Sequence, residues 1–283
     1  RNKKPPFGFP DAGNNSVGEV VFARTYSRKK EDGTKEQWYE VCRRVTEGTF
    51  TIQKDYCLSN RLPWNGQKAL ATAKDFYDRL FKLKWSPPGR GLFSMGTYNT
   101  IARRSSNSLQ NCAAVSTFDM SKHNPAKPFV FLMEASMNGI GVGFDTRGSE
   151  LNIEVRRPDS YEEDDFVVPD TREGWAESTG KVINAFLANK PLPKFDYSEI
   201  RPYGSEIKTF GGTASGPDPL IKLHNKLKEV FESRVGEILD SRLIVDIANL
   251  IGVAVVSGNV RRSAELAMGD INDEDFINLK NPD

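Results

Sequence analysis

Redox or metal chemistry can come from only a few side chains in this sequence of 283 residues, namely Cys42, Cys57, Cys112, His123 and His224. No Cys-x-x-Cys pair occurs, and the two histidines have no neighbours that would complete a metal site. Neither a zinc site nor a disulfide framework of the secreted type is therefore indicated. Unpaired cysteines are typical of a reducing compartment, so the sequence predicts a cytoplasmic protein.

Cys112 begins an apolar run, Cys112-Ala113-Ala114-Val115, that predicts a buried strand. A free cysteine in such a strand is ordinarily an inert small hydrophobe. Cys42 falls on the apolar face of a predicted helix, where the same interpretation is stronger. His123 and His224 have no partner that the sequence identifies, and no chemistry is assigned to them.

Three glycine-rich or polar segments could contact a phosphate. In Gly139-Ile140-Gly141-Val142-Gly143 the missing Cβ atoms would let backbone N–H groups approach one, although no established phosphate-loop pattern is matched and a tight packing turn is favoured. Residues 210–217, FGGTASGP, form either an anion nest before a helix or an ordinary loop. Residues 257–263, SGNVRRS, carry two adjacent guanidinium groups that suit phosphate or base edges, or ion pairs with nearby acids.

The elements that position these segments follow from hydrophobic spacing. Apolar residues three and four positions apart predict helices over residues 35–48, 65–83, 173–189, 220–231 and 243–256. Gly48 is expected to end the first helix, and the run VGEVVFARTY before it predicts a strand. Short apolar pieces between glycines from residue 91 to residue 145 predict strands that alternate with helices, so the fold class is α/β.

Composition excludes several classes of protein. A chain of 31.7 kDa can bury a full core, and 39 basic against 38 acidic residues create no bulk field that would attract nucleic acid or an anionic membrane. No apolar run reaches 18 residues, and the start lacks the apolar stretch of a signal peptide. A nucleotide would therefore need a local site. Because the chain does not begin with Met, we expect a fragment.

Four stretches, taken together, resemble one family: PPGRGLFSMGT with LQNCAAV, PDTREGW, IRPYGSEIKTFGGTASGP and SGNVRRSAELAMGD. They resemble the monomeric, adenosylcobalamin-dependent class II ribonucleotide reductases, with gaps, from about Val20 to Leu279. The resemblance implies a helical N-terminal region followed by part of a ten-stranded α/β barrel with an inserted effector-binding segment. The implied boundaries are 1–86 for the arm and helical region, 87–149 for the first part of the barrel, 150–219 for the insertion and 220–283 for the return to the barrel.

The implied reaction converts ribonucleoside phosphates to 2′-deoxyribonucleotides, and the sequence does not distinguish diphosphate from triphosphate substrates. In this family adenosylcobalamin homolysis generates a thiyl radical that removes the ribose 3′ hydrogen, and two further cysteines reduce the 2′ carbon and become a disulfide. Cys112 matches one of that redox pair, which overrides its interpretation as an inert residue. By the same resemblance the substrate contacts Met95, Gly96, Asn111, Gly139, Gly141 and Gly143.

The specificity effector, a deoxynucleotide, is implied to lie near two loops and the helix over residues 173–189. The loop residues that match are Gly211, Gly212, Thr213, Gly258, Asn259, Val260, Arg261 and Arg262. The arginines would transmit the identity of the bound deoxynucleotide to the base that fits the substrate site.

The family's radical cysteine lies in an Asn-x-Cys-x-Glu motif, which this sequence lacks, as it lacks the second redox cysteine and any residues that match cobalamin contacts. The chain alone is therefore expected to be inactive. The expected partners are a ribonucleotide substrate, a deoxynucleotide effector, a thioredoxin-like dithiol reductant and the remaining reductase segment or a second polypeptide, with neither nucleic acid nor membrane. The alternatives are a non-catalytic deoxynucleotide-binding regulatory subunit and a defunct gene fragment.

Overall fold

The computed structural model describes residues 17–30, 32–158, 160, 165–205, 213–257 and 264–281. The chain forms two compact units, residues 1–110 and residues 111–283. The helices of the first unit are α1 (Val17–Val21), α2 (Trp38–Ser59), α3 (Gly66–Phe81), α4 (Gly89–Ser94) and α5 (Tyr98–Ile101). The helical N-terminal region is therefore confirmed.

The first unit is built on the pairing of α2 with α3. Its small core contains Trp38, Val41, Cys42 and Leu80, which are all buried. Helix α3 begins where the sequence predicts, because the Asn65 side chain accepts a hydrogen bond from a backbone N–H of the first turn. The strand predicted from VGEVVFARTY is wrong: that run forms α1 and a π-helical turn.

Helix α2 does not end at Gly48 but continues to Ser59. The glycine is explained by close packing within this unit. A Cβ atom on Gly48 would lie 2.4 Å from the Cα atom of Gly96, so only a glycine lets the two backbones approach so closely. The turn at Gly96 thus rests directly on α2.

The second unit contains five strands and five helices among the described residues. In chain order these are β1 (Cys112–Val115), α6 (Lys127–Met137), β2 (Gly141–Asp145), β3 (Phe166–Val167), α7 (Arg172–Leu187), β4 (Phe195–Asp196), α8 (Asp218–Ser233), α9 (Ser241–Val256), β5 (Glu265–Met268) and α10 (Glu274–Ile277). Helices α7, α8 and α9 match the predicted ranges to within a few residues, and α9 is buried along most of its length, as its composition predicts.

The main sheet has the order β1-β2-β5, and both pairings are parallel. On one face Val142 and Phe144 of β2 are buried in the core, Ala113 and Val115 of β1 are partly buried against it, and α6 packs across both strands. Parallel strands with a helix packed across them confirm the α/β class. Among the described residues no helix is long and apolar enough to cross a membrane.

Candidate functional site

The second face of the main sheet carries the predicted redox cysteine. Side chains alternate between the faces of a strand, so Cys112 projects away from the core that Ala113 helps to form. Cys112 is an exposed, free thiol, and its Cα atom is the register partner of Gly141 on β2. The prediction of a buried strand is therefore wrong: only alternate residues of β1 pack against the core, and these are partly buried.

Glycine keeps the middle of this face free of side chains. Gly141 and Gly143 lie on the same face of β2 as Cys112 does on β1, and the register pairs Gly143 with Ala114. A Cβ atom on Gly141 would lie 3.6 Å from Ala264, which is ordinary contact, so packing alone does not require a glycine here. The result is a low, backbone-lined surface beside an exposed thiol.

The segment 139–143 combines a turn and a strand. Gly139 follows α6 with a φ of +73°, a conformation that favours glycine, and the chain enters β2 two residues later. The N–H of Gly141 donates to the carbonyl of Asn111 over 3.0 Å, so the residue before the cysteine is joined to the glycine strand. Four of the predicted substrate residues, Asn111 and the three glycines, are thus brought together with Cys112.

The exposed face is apolar along β5. Leu266 and Met268 are 64% and 46% exposed and lie in register with Gly143 and Asp145. Exposed large apolar side chains on one sheet face are typical of a surface that another part of a protein covers.

At the carboxyl ends of β1 and β2, Asp145 joins the two strands. Its Oδ1 accepts from the backbone N–H of Thr117 over 2.8 Å and from that of Arg147 over 3.3 Å. Burial acts to raise the pKa of Asp145, but hydrogen bonds from Ser116, Thr117 and Arg147 outweigh it and hold the pKa below its usual value. The sequence gives no signal for this contact, because Thr117 and Asp145 are 28 residues apart.

Met95 and Gly96 lie in the first unit, in the turn after α4 that rests on α2. The guanidinium of Arg44 donates to the carbonyls of Met95 over 2.6 Å and Leu92 over 3.0 Å. The same group pairs with Glu36 over 2.7 Å, and both side chains of this pair are nearly buried. The turn is therefore held by side chains that sequence reasoning did not identify.

His224 was assigned no partner from the sequence, and the structure corrects this. Its Nδ1 lies 2.8 Å from the Tyr197 hydroxyl, and its Nε2 lies 3.3 Å from Ser178 Oγ and 3.4 Å from Thr179 Oγ1. Both α7 hydroxyls donate to the carbonyl of Trp175, so they accept from Nε2–H while Nδ1 accepts from the tyrosine. The buried ring is a neutral structural group of the second unit.

The other cysteines differ from Cys112 in burial. Cys42 is fully buried, and burial raises the pKa of its thiol to about 12, so it is inert as predicted. Cys57 is half-buried near the end of α2. Cys112 is therefore the exposed one of the three.

Most of the predicted effector residues lie outside the described residues, namely Gly211, Gly212, Gly258, Asn259, Val260, Arg261 and Arg262. Thr213 is described and is exposed, four residues before the N-cap Pro217 of α8. The predicted effector helix corresponds to α7, which packs against both α6 and α8.

Two family models match the chain. The ribonucleotide reductase alpha domain matches residues 2–97, and the insertion domain of B12-dependent ribonucleotide reductases matches residues 152–231.

Relatives and a solved structure agree with these models. The chain is 44% identical to a protein of Dictyostelium discoideum named a probable adenosylcobalamin-dependent ribonucleoside-triphosphate reductase, with 99% of this chain and 38% of that protein aligned. It is 43% identical to the corresponding reductase of Euglena gracilis with the same coverage, and 36% identical to that of Lactobacillus leichmannii, with 93% and 42% aligned. A crystal structure of a B12-dependent class II ribonucleotide reductase superposes with a TM-score of 0.79 at 32% identity, covering 92% of this chain and 42% of that one.

The chain thus spans about two fifths of the length of the reductases it matches. The matches cover both units, and the solved structure shares their fold. The chain belongs to the adenosylcobalamin-dependent, class II ribonucleotide reductase family.

Proposed function

We propose that this chain is the part of an adenosylcobalamin-dependent ribonucleoside-triphosphate reductase that supplies one redox thiol and part of the substrate site. The observation that carries the proposal is the position of Cys112, exposed on the open face of the sheet and in register with Gly141. The names and extent of the aligned relatives support the reaction class.

In the proposed reaction the bond between C2′ and its hydroxyl breaks and the hydroxyl leaves as water. The C2′ carbon gains a hydrogen in its place. Two thiols supply the two electrons and two protons, and they become a disulfide. Cys112 is one of these thiols, and its partner belongs to the remaining reductase segment. A thioredoxin-like dithiol must reduce the disulfide before the next turnover.

The glycine surface of β2 is proposed to lie under the substrate. Without side chains at Gly141 and Gly143, a ribose could approach the backbone within reach of the Cys112 sulfur. Asn111 and Gly139 are proposed to belong to the same substrate surface. Met95 and Gly96 are proposed substrate residues because of the family resemblance.

Adenosylcobalamin would supply the radical that starts the reaction. The described residues do not by themselves fit this cofactor. Both ring nitrogens of His224 are hydrogen bonded inside the core, and Leu266 and Met268 on the sheet face that carries Cys112 are exposed. No cobalamin contact is therefore proposed for the described residues.

The effector function stays a proposal from the resemblance. Gly211, Gly212, Thr213 and the segment 258–262 would contact a deoxynucleotide, and α7 would support them. The resemblance is also the basis for proposing a cytoplasmic location and the ribonucleotide, effector and dithiol partners.

The test is Cys112→Ser in the full-length reductase that contains this chain, assayed for deoxynucleotide formation over many turnovers with a dithiol reductant. We expect turnover to be lost, because a serine cannot form the disulfide. Cys57→Ser is the matched control, since Cys57 lies in the other unit, and it should retain activity. Continued turnover by Cys112→Ser would refute the assignment. A wild-type enzyme that binds deoxynucleotides but forms no product would favour the regulatory alternative.

A further inference from the structure

A carboxylate and a hydroxyl group tie together the ends of the two strands that carry the proposed thiol and substrate floor. Thr117 follows β1 and is 1% exposed, and Asp145 is the last residue of β2. The threonine hydroxyl lies 3.0 Å from Oδ1 of Asp145 and 2.9 Å from its backbone carbonyl, and the Thr117 N–H donates to Oδ1 over 2.8 Å. We call the pair Thr117 and Asp145 the strand clasp.

The strand clasp also fixes the loop that leaves β2. The N–H of Gly148 donates to Thr117 Oγ over 2.8 Å, and the N–H of Arg147 donates to Asp145 Oδ1 over 3.3 Å. Gly148 has little spare room, because a Cβ atom there would lie 3.1 Å from Thr117 Oγ and 3.2 Å from Cδ1 of Ile244 on α9. The side chains of Thr117 and Asp145 thus hydrogen bond to four backbone groups at the carboxyl ends of β1 and β2.

This tie matters because β1 is short. It has four residues and, among the described strands, pairs with β2 alone. Apart from the backbone ladder, Asp145 provides the described side-chain links between the ends of the two strands, through its hydrogen bonds with Thr117 and with Ser116. A change in the spacing of β1 on β2 would move the Cys112 sulfur relative to the floor at Gly141.

We infer that Thr117 and Asp145 are positioning residues for the reductase reaction, which hold the Cys112 thiol at its working distance from the substrate. The inference rests on the proposed function. Neither residue needs to touch the nucleotide. Their loss is therefore expected to slow the thiol step more than it weakens substrate binding.

The experiment replaces Thr117 in the full-length reductase by Val, which keeps the shape but removes the hydroxyl, and by Ser, which keeps the hydroxyl. Since misplacing a reacting group by about 1 Å costs about 100-fold, we expect Thr117→Val to lower kcat by about 10- to 100-fold with KM changed by less than about threefold. Thr117→Ser should recover most of the activity. Asp119→Asn, an exposed carboxylate two residues away, is the matched control and should behave as the wild type.

Asp145→Asn provides a second test if Thr117→Val does not fold, as judged by circular dichroism. It retains an acceptor but removes the charge, and it should lower kcat in the same direction. Equal kcat values for wild type and the folded clasp variants would overturn the inference, and so would a rise in KM with kcat unchanged. A wild-type enzyme without reductase activity would instead refute the proposed function, so the two failures are distinguishable.

Discussion

Acidification is expected to destabilise the second unit through His224. Burial foremost, and the charge of Lys228 second, lower the pKa of this histidine to about 3. An unfolded histidine has a pKa of about 6.5. Below that pH the unfolded chain binds a proton on this histidine, whereas the folded chain does not. The contribution of His224 to the free energy of unfolding is therefore complete above pH 6.5 and is lost as the pH falls toward 3. The loss between pH 7 and pH 5 is about 2 kcal/mol.

Glu265 on β5 acts in the opposite direction over the same range. Burial raises the pKa of its carboxyl to about 7, and its Oε1 is buried with no hydrogen-bond partner among the described residues. The folded chain therefore gains a proton on Glu265 between pH 7 and pH 5, and this contribution to stability grows as the pH falls. A pH profile of the wild type alone would show only the net effect.

The assay is therefore a comparison of the wild type with His224→Gln, in which Glu265 is unchanged. Urea unfolding followed by circular dichroism gives the free energy of unfolding of each protein at pH 7 and pH 5. We expect the wild type to lose about 2 kcal/mol more than the variant over this range. The loss of the His224 hydrogen bonds lowers the variant's stability at both pH values and cancels in the comparison. Equal pH dependence in the two proteins would refute the reasoning.

Two further predictions follow from packing and exposure. Gly48→Ala should destabilise the first unit by about 1–3 kcal/mol in urea unfolding, because the new methyl group would lie 2.4 Å from the backbone Cα atom of Gly96. In the native protein, iodoacetamide should modify Cys112 rapidly and Cys57 more slowly while Cys42 stays unmodified, as read by peptide mass spectrometry, because Cys42 is buried and burial raises the pKa of its thiol to about 12.

Each of these predictions has a direct check. Gly66→Ala is the control for Gly48→Ala, since nothing lies within 4 Å of a Cβ atom there and the change should leave stability nearly unaltered or slightly raised. If Gly48→Ala is equally harmless, close packing against the Gly96 backbone does not explain the glycine at position 48. Modification of Cys42 at the rate of Cys112 would contradict the burial of the first unit's core.

Local signals were sufficient for the helices whose ends depend on neighbouring residues. Helix α3 runs from Gly66 to Phe81 within the predicted 65–83, because the Asn65 cap and the following prolines act within a few residues. Helix α9 runs from Ser241 to Val256, close to the predicted 243–256, because an almost continuous apolar run must be buried.

Features that depend on distant residues could not be read from local pattern. Gly48 resembles a helix terminator, yet it lies within α2. The position is a glycine because the backbone at Gly96 packs against it. His224 resembles an unpartnered histidine, because its contact with Tyr197 spans 27 residues and its contacts on α7 span still more. The strand clasp likewise could not be predicted from the sequence, since residues with hydroxyl and carboxylate groups are common in any loop.

The candidate site was predicted in a different way. Periodicity alone described Cys112 as a buried, inert residue, and only the family resemblance assigned it a redox role. The structure supplies the physical reason that this role is open to it: the alternation of side chains in β1 turns Cys112 outward, toward the face where β2 has glycines.

The most direct test of the central proposal follows the thiol through one turnover. The pre-reduced full-length reductase is given ribonucleoside triphosphate and cofactor without external reductant, quenched in acid and alkylated, and the Cys112 peptide is quantified by mass spectrometry. We predict that Cys112 becomes resistant to alkylation in proportion to the deoxynucleotide formed, and that added dithiol restores its reactivity. Deoxynucleotide formation with Cys112 still fully alkylatable would contradict the account.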